Sequence, residues 1–186
     1  MLKLFQMACA TVLPPTSSDV CSPNSNLGQI SAIRFTRFGD SLTDWTDDTE
    51  WATRLSNTTV LPTLPTLAPI RTLFGIGSLA AAERPTIAAS RRYGGNIYGT
   101  PSYTMTFNVE DTSDANINFA RTLPAGGQIY SGWFETEERL FGGDAGVKML
   151  LIADPIIPES GDDIMRIQVT VTFDGTFPEV QNNFLS

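Results

Sequence analysis

The sequence predicts a mainly β protein: an antiparallel β-sandwich or barrel-like domain with one short flanking α-helix and an extended N-terminal arm. Three observations carry this. Apolar and polar residues alternate with period two along Ser102–Val109 and Met165–Phe173, the spacing of strands with one buried face. Turn-forming Gly, Pro, Asn and Asp recur between short apolar runs, so the chain accommodates seven or eight short strands. No helices alternate with these strands, which argues against a parallel α/β architecture.

Residues 1–28 are rich in Pro, Ser, Thr and Asn without periodicity, as in "LPPTSSDVCSPNSN", and read as an extended arm. The single domain then runs from 29 to 186. In its first strand Ile33 and Phe35 alternate with Arg34 and Thr36, which predicts one buried face. "DWTDDTEWATRLSN" is the best helix. Asp47 can cap it, Glu50 stands three residues on as in a capping box, and Arg54 falls in the last turn. Trp51 and Leu55, one turn apart, form the apolar stripe.

"TTVLPTLPTLAPIRTL" has three closely spaced prolines, so it is neither helix nor inner strand. Thr72–Gly77 reads as a strand and "SLAAAE" as a loop or weak helical turn. Thr86–Arg92 can be a strand, and "RYGGNIYGTP" is a glycine-rich loop. After Ser102–Val109, a short helix fits Asp114–Thr122. Strands are predicted over Gln128–Phe134, Arg139–Phe141, Val147–Asp154 and Met165–Phe173, with "GGDAG" a glycine turn. On the last of these strands Met165, Ile167, Val169, Val171 and Phe173 are the inward set.

Composition narrows the function classes. The chain has 186 residues, 41% hydrophobic and 17% charged, with 12 basic against 20 acidic residues and a net charge of −8. A surface that grips nucleic-acid phosphates needs clustered Lys and Arg, and the nearest approach to a cluster is Arg84, Arg91 and Arg92. The two cysteines, Cys9 and Cys21, read as free thiols rather than a disulfide framework. With no histidine, there is no zinc or iron spacing, and no Asp-x-Asp-x-Asp-Gly calcium loop occurs. No cofactor is expected. "MLKLFQMACA" is interrupted by Gln6 and is thin for a signal peptide, and no apolar run has the length of a transmembrane helix.

"FGDSLTD", Phe38–Asp44, resembles the first sequence block of the GDSL esterases and lipases, with Ser41 at the nucleophile position. The rest of that family's equipment is missing. There is no histidine to take the serine proton, no late Asp-x-x-His pair and no Gly-x-Asn-Asp block. A Ser-Lys dyad would have to draw on Lys3 or Lys148, the only lysines. The plainer reading of Gly39-Asp40-Ser41 is a turn out of the first strand.

A second resemblance covers more of the chain. Phe141–Val180 reads "FGGDAGVKMLLIADPIIPESGDDIMRIQVTVTFDGTFPEV". A short strand ends in Gly-Gly-Asp-Ala-Gly, a strand follows, and an acidic Gly turn leads into an alternating Thr/Val strand that closes on Gly175. This grammar resembles the last strands of bacteriophage tail tube (major tail) proteins. "LTDWTDDTEWATRLSN", Leu42–Asn57, is similar to stretches of phage virion proteins. The resemblance implies a non-enzymatic structural subunit forming rings, hexameric in that family, stacked into a tube that DNA crosses without specific binding. Its partners would be its own copies and other virion proteins, with no membrane, and it would assemble in the bacterial host cytoplasm. An acidic balance suits such a conduit. The residues that would meet neighbouring subunits are Leu61, Leu64 and Leu67 in the proline-rich stretch and Tyr93 and Tyr98 in the glycine-rich one, because apolar side chains on loops mark partner surfaces.

The same features fit a capsid-decorating protein or a head–tail connector. They also fit a carbohydrate-binding or adhesin module, if Trp45, Trp51 and Trp133 formed a sugar platform. The catalytic reading is tested at one atom. A fluorophosphonate probe is expected to leave the Ser41 hydroxyl unlabelled, and Ser41→Ala is expected to leave assembly intact; mass spectrometry of the probed protein checks the first and electron microscopy the second.

Overall fold

The computed structural model describes residues 29–58, 68–87, 97–159 and 164–185; the predicted N-terminal arm lies outside them. The elements are β1 (Ile30–Arg37), α1 (Asp48–Ser56), β2 (Arg71–Leu79), β3 (Thr86–Ile87), β4 (Ile97–Tyr98), β5 (Ser102–Val109), α2 (Asp114–Thr122), β6 (Gln128–Thr136), β7 (Arg139–Gly142), β8 (Val147–Ile156), β9 (Arg166–Asp174) and β10 (Glu179–Asn182). Six strands close an antiparallel barrel in the order β1-β2-β5-β9-β8-β6, with β6 returning to β1. Of the two sheet arrangements the sequence allowed, the closed one is present. Beyond the barrel the sheet continues from β6 through β7 to β10, and β3 and β4 form a separate ribbon.

The barrel interior follows from period-two alternation. Tyr103, Met105, Phe107 and Val109 of β5 are buried, as are Ile167, Val169, Val171 and Phe173 of β9, and the two strands lie in register from Ser102↔Asp174 to Val109↔Ile167. Met165 precedes β9 and is only half-buried. Each fully buried side chain of this size contributes about 1.5–3 kcal/mol relative to exposure. At the lower end, where β1 and β5 finish and β6 begins, α2 closes the barrel. Its Ile117, Phe119 and Ala120 pack on the core, and the Phe119 ring stacks on Phe35 at 5.5 Å. The described residues therefore hold two helices, where only one was signalled strongly: α2 lacks a side-chain cap and is held by its apolar side.

The first strand departs from expectation. Ile33 and Phe35 face the barrel, but Ala32, Arg34 and Thr36 on the other face are buried as well. The cause is a second core laid over the outside of the barrel, built from Leu42, Trp45, Trp51, Ile70, Trp133 and Leu140. Helix α1 brings Trp51 edge-on to Trp133 at 5.2 Å. Asp47 caps this helix by accepting from the Thr49 amide at 2.9 Å. Glu50 does not complete a capping box. It accepts instead from the amides of Thr43 and Asp44 and pairs with Arg54 at 2.8 Å, tying the incoming turn to the helix. Arg54 is buried rather than solvated and donates to the Ser41 carbonyl.

The outer face of β1 also holds a buried ion pair. Arg34 Nε and Nη2 each meet the Glu135 carboxylate at 3.0 Å, and Nη1 donates to Thr72 Oγ1 at 3.1 Å. Both side chains are 5% exposed, so the pair stitches β1, β2 and β6 together where solvent does not weaken it. Glu135→Leu, which strands the guanidinium, is expected to cost about 3–5 kcal/mol, whereas Arg34→Met with Glu135→Leu recovers most of that loss. Urea unfolding of the two variants beside wild type checks both.

Candidate assembly surface

The upper end of the barrel gathers β1's start, β2's end, β5's start and β9's end. It is closed by aromatic rings rather than a helix. Phe134 stacks on Phe141 at 4.8 Å, Tyr103 on Phe173 at 5.0 Å, and Phe177 stands edge-on to both Tyr103 and Phe141. Phe177 is nonetheless 52% exposed. Beside it lies an apolar depression of about 200 Å³ lined by Ile30, Leu79, Phe134, Phe141 and Phe177, with Arg139 and Thr136 at its margin.

Strand β10 adjoins this end. It pairs with β7 from Glu179↔Gly142 to Asn182↔Arg139, and just beyond it Asn183 donates its amide to the Glu138 carbonyl at 2.9 Å. In an antiparallel ladder alternate residues bond to the partner strand. Glu179 and Gln181 therefore turn their main-chain groups towards β7, and Val180 and Asn182 turn theirs away. Among the described residues no strand takes them. The Val180 side chain is 52% exposed. The Gln181 side chain points to the second core and donates to the Trp45 carbonyl at 3.0 Å, so among the described residues β10 is anchored on one edge and open on the other.

Of the residues expected at subunit contacts, Leu61, Leu64, Leu67 and Tyr93 lie outside the described residues. Tyr98 is on β4, opposite Thr86, and is exposed. Phe177 and Val180 were not anticipated. Their segment, "DGTFPEV", is too short for a period to show, and its single signal is two apolar side chains three apart around a proline.

The turn after β1 is as the sequence read it. Gly39 has a φ of +93°, and Arg37 pairs with Asp40 across it. Ser41 and Lys148 line one shallow depression. The Lys148 ammonium sits 5.4 Å from the Phe38 ring centroid, and among the described residues no hydrogen bond joins it to the Ser41 hydroxyl. A little further on, Asp44 accepts from the Thr46 hydroxyl and amide, and these hold its carboxyl below the ordinary range. Here the carboxylate organises the approach to α1.

The glycine turn "GGDAG" has a packing cause. A Cβ on Gly142 would fall 2.1 Å from Trp133 Cδ1, and Gly143 accepts the indole N–H at 2.7 Å. Trp45, Trp51 and Trp133 are all buried, so none offers a ring face to a sugar. Among the described residues no group of three or more acidic or sulfur ligands comes together as a metal site requires, and no helix is long and apolar enough to cross a membrane.

Comparison with known proteins matches no family, no curated protein and no solved structure. The chain's own geometry thus carries the functional argument. The glycines at Trp133 give its sharpest local test. Gly142→Ala is expected to displace the indole and destabilise the fold by about 1–3 kcal/mol, the usual cost of overpacking, with a red shift of tryptophan fluorescence before unfolding.

Proposed function

We propose that this chain is a non-enzymatic virion structural subunit that assembles into rings stacked as a bacteriophage tail tube. The observation that carries the reading is the open edge of β10 beside exposed Phe177 and Val180. A barrel that closes on itself abolishes its edges. This one closes six strands and then adds β7 and β10, which restores an edge at one end. A strand held in place by the core on one side and, among the described residues, unpaired on the other is suited to main-chain pairing with a further chain.

Three further features support the reading. Phe141–Val180, which builds this edge, is the segment that resembles tail tube proteins. The net charge of −8 gives DNA phosphates little to hold. Burial of the three tryptophans removes the residues on which a carbohydrate-binding reading rested. Ring symmetry, the virion location and DNA passage come from the resemblance. A capsid-decorating or connector role would use the same edge in a different assembly.

Negative-stain electron microscopy of the purified chain tests the proposal. Rings or tubes are expected from wild type. Val180→Pro removes only an outward-facing amide, a change that edge strands accept, and is expected to abolish rings while leaving the circular dichroism spectrum unchanged. A wild type that stays a uniform monomer, or rings that persist with Pro at 180, would overturn the edge-pairing assembly.

A further inference from the structure

The outer face of β2, β5, β9 and β8 has no charged side chain in its middle. Register aligns Ser78, Thr106, Thr170 and Ile152 in one row across the four strands, and Thr104, Thr172 and Leu150 in the next. These side chains are exposed or half-buried, opposite the barrel-lining Phe107, Val169 and Val171. Charges occur only towards the strand ends, at Lys148, Asp154, Arg166 and Asp174. Apolar margins flank the threonines. Phe74 and Ile76 on β2 are 65% and 49% exposed, and on the other side Ile129 of β6 is 36% exposed beside Leu150.

We propose that this face is an interface with a second copy of the chain, independent of the edge at β10 and of the tail tube reading. Charge is the first argument. A body of net charge −8 repels its own copy, and the repulsion is least where neutral faces meet. Shape is the second. A twofold axis running along the strands between β5 and β9 lays the β2 margin of one copy on the β8–β6 margin of the other, with the threonine rows meeting at the centre. This is an isologous, self-complementary contact of the aligned sheet-on-sheet type. Area is the third. Four strands about 4.8 Å apart, each about eight residues long, cover about 500 Å² per copy. About 1,000 Å² in total lies at the lower limit for a specific interface, so the contact is a reversible dimer that forms with rising concentration.

Sedimentation velocity over a concentration series tests this with three proteins. Val180→Pro, which forms no rings, is expected to move from monomer towards dimer as concentration rises, since the edge substitution leaves this face intact, and wild type is expected to associate at least as far. Thr106→Lys with Thr170→Lys is expected to weaken dimerisation at least tenfold with unchanged far-UV circular dichroism. The lysine variant has a smaller net charge, so general repulsion alone would make it associate more, and the opposite response is diagnostic. Should it fail to fold, Phe74→Ser takes its place with the same expected loss. Association of the face variant equal to wild type, monomers at every concentration, or loss of all association in Val180→Pro would overturn the proposal. Dimers without rings would leave it standing while removing the ring reading.

Discussion

Everything in this structure depends on β1 being paired along both edges. It meets β2 from Ile30↔Gly77 to Phe35↔Arg71 and β6 from Ile30↔Thr136 to Arg37↔Tyr130. The second pairing turns an open sheet into a barrel and brings the outward faces of β1, β2 and β6 under α1. Trp133 can then be covered by Trp51, and Arg34 can be sealed against Glu135. A strand buried on both faces must satisfy its polar side chains internally, and the bidentate arrangement of Arg34 does so. Without the β1–β6 ladder the second core would have no floor.

Closure leaves the molecule with two unlike ends. The lower one is finished by α2, whose apolar side fills the opening. The upper one is finished by a ladder of rings that leaves Phe177 half outside, with β10 beside it. The difference is chemical as much as geometric: α2 turns apolar side chains onto the core, whereas β10 presents along its outer edge main-chain groups that no described strand takes. Any larger structure built from this barrel inherits that polarity, because the two ends cannot substitute for one another.

Most of the barrel was legible in the sequence because inward and outward residues differ in kind along β5 and β9, where the outer face meets solvent. The signal failed where a second layer made both faces dry. Arg34 and Thr36 looked solvent-facing because Arg and Thr usually are, and nothing local announced that α1 would cover them. Arg54 stands in the last turn of the helix as read, but its burial under the turn at Ser41 had no local signal either. The helix at 48–56 was readable from Asp47, Trp51 and Leu55, but Glu50 serves the preceding turn rather than the cap, a choice fixed by the path of residues 43 and 44. The strand at 179–182 is too short for periodicity to register, and with it went the residues of the open edge. Tyr98, which is exposed, was singled out because glycines flank an aromatic residue there, which is a sequence-level cue; Phe177 has only a proline beside it.

The double pairing of β1 also sets an order of events during synthesis. One partner of β1 is complete at Leu79, the other only at Thr136, and the ring of strands cannot shut until β9, ending at Asp174, has entered between β5 and β8. The ion pair between Arg34 and Glu135 spans 101 positions of the chain. Such long-range contacts demand loop closure before they return any stabilisation, and folds built from them form slowly. A nascent chain therefore emerges with β1 and β2 as an unsealed ribbon whose main-chain groups are open to other chains. The barrel shuts only once β9 has been made, and the interval before that is when the protein is most exposed to pairing with the wrong strand.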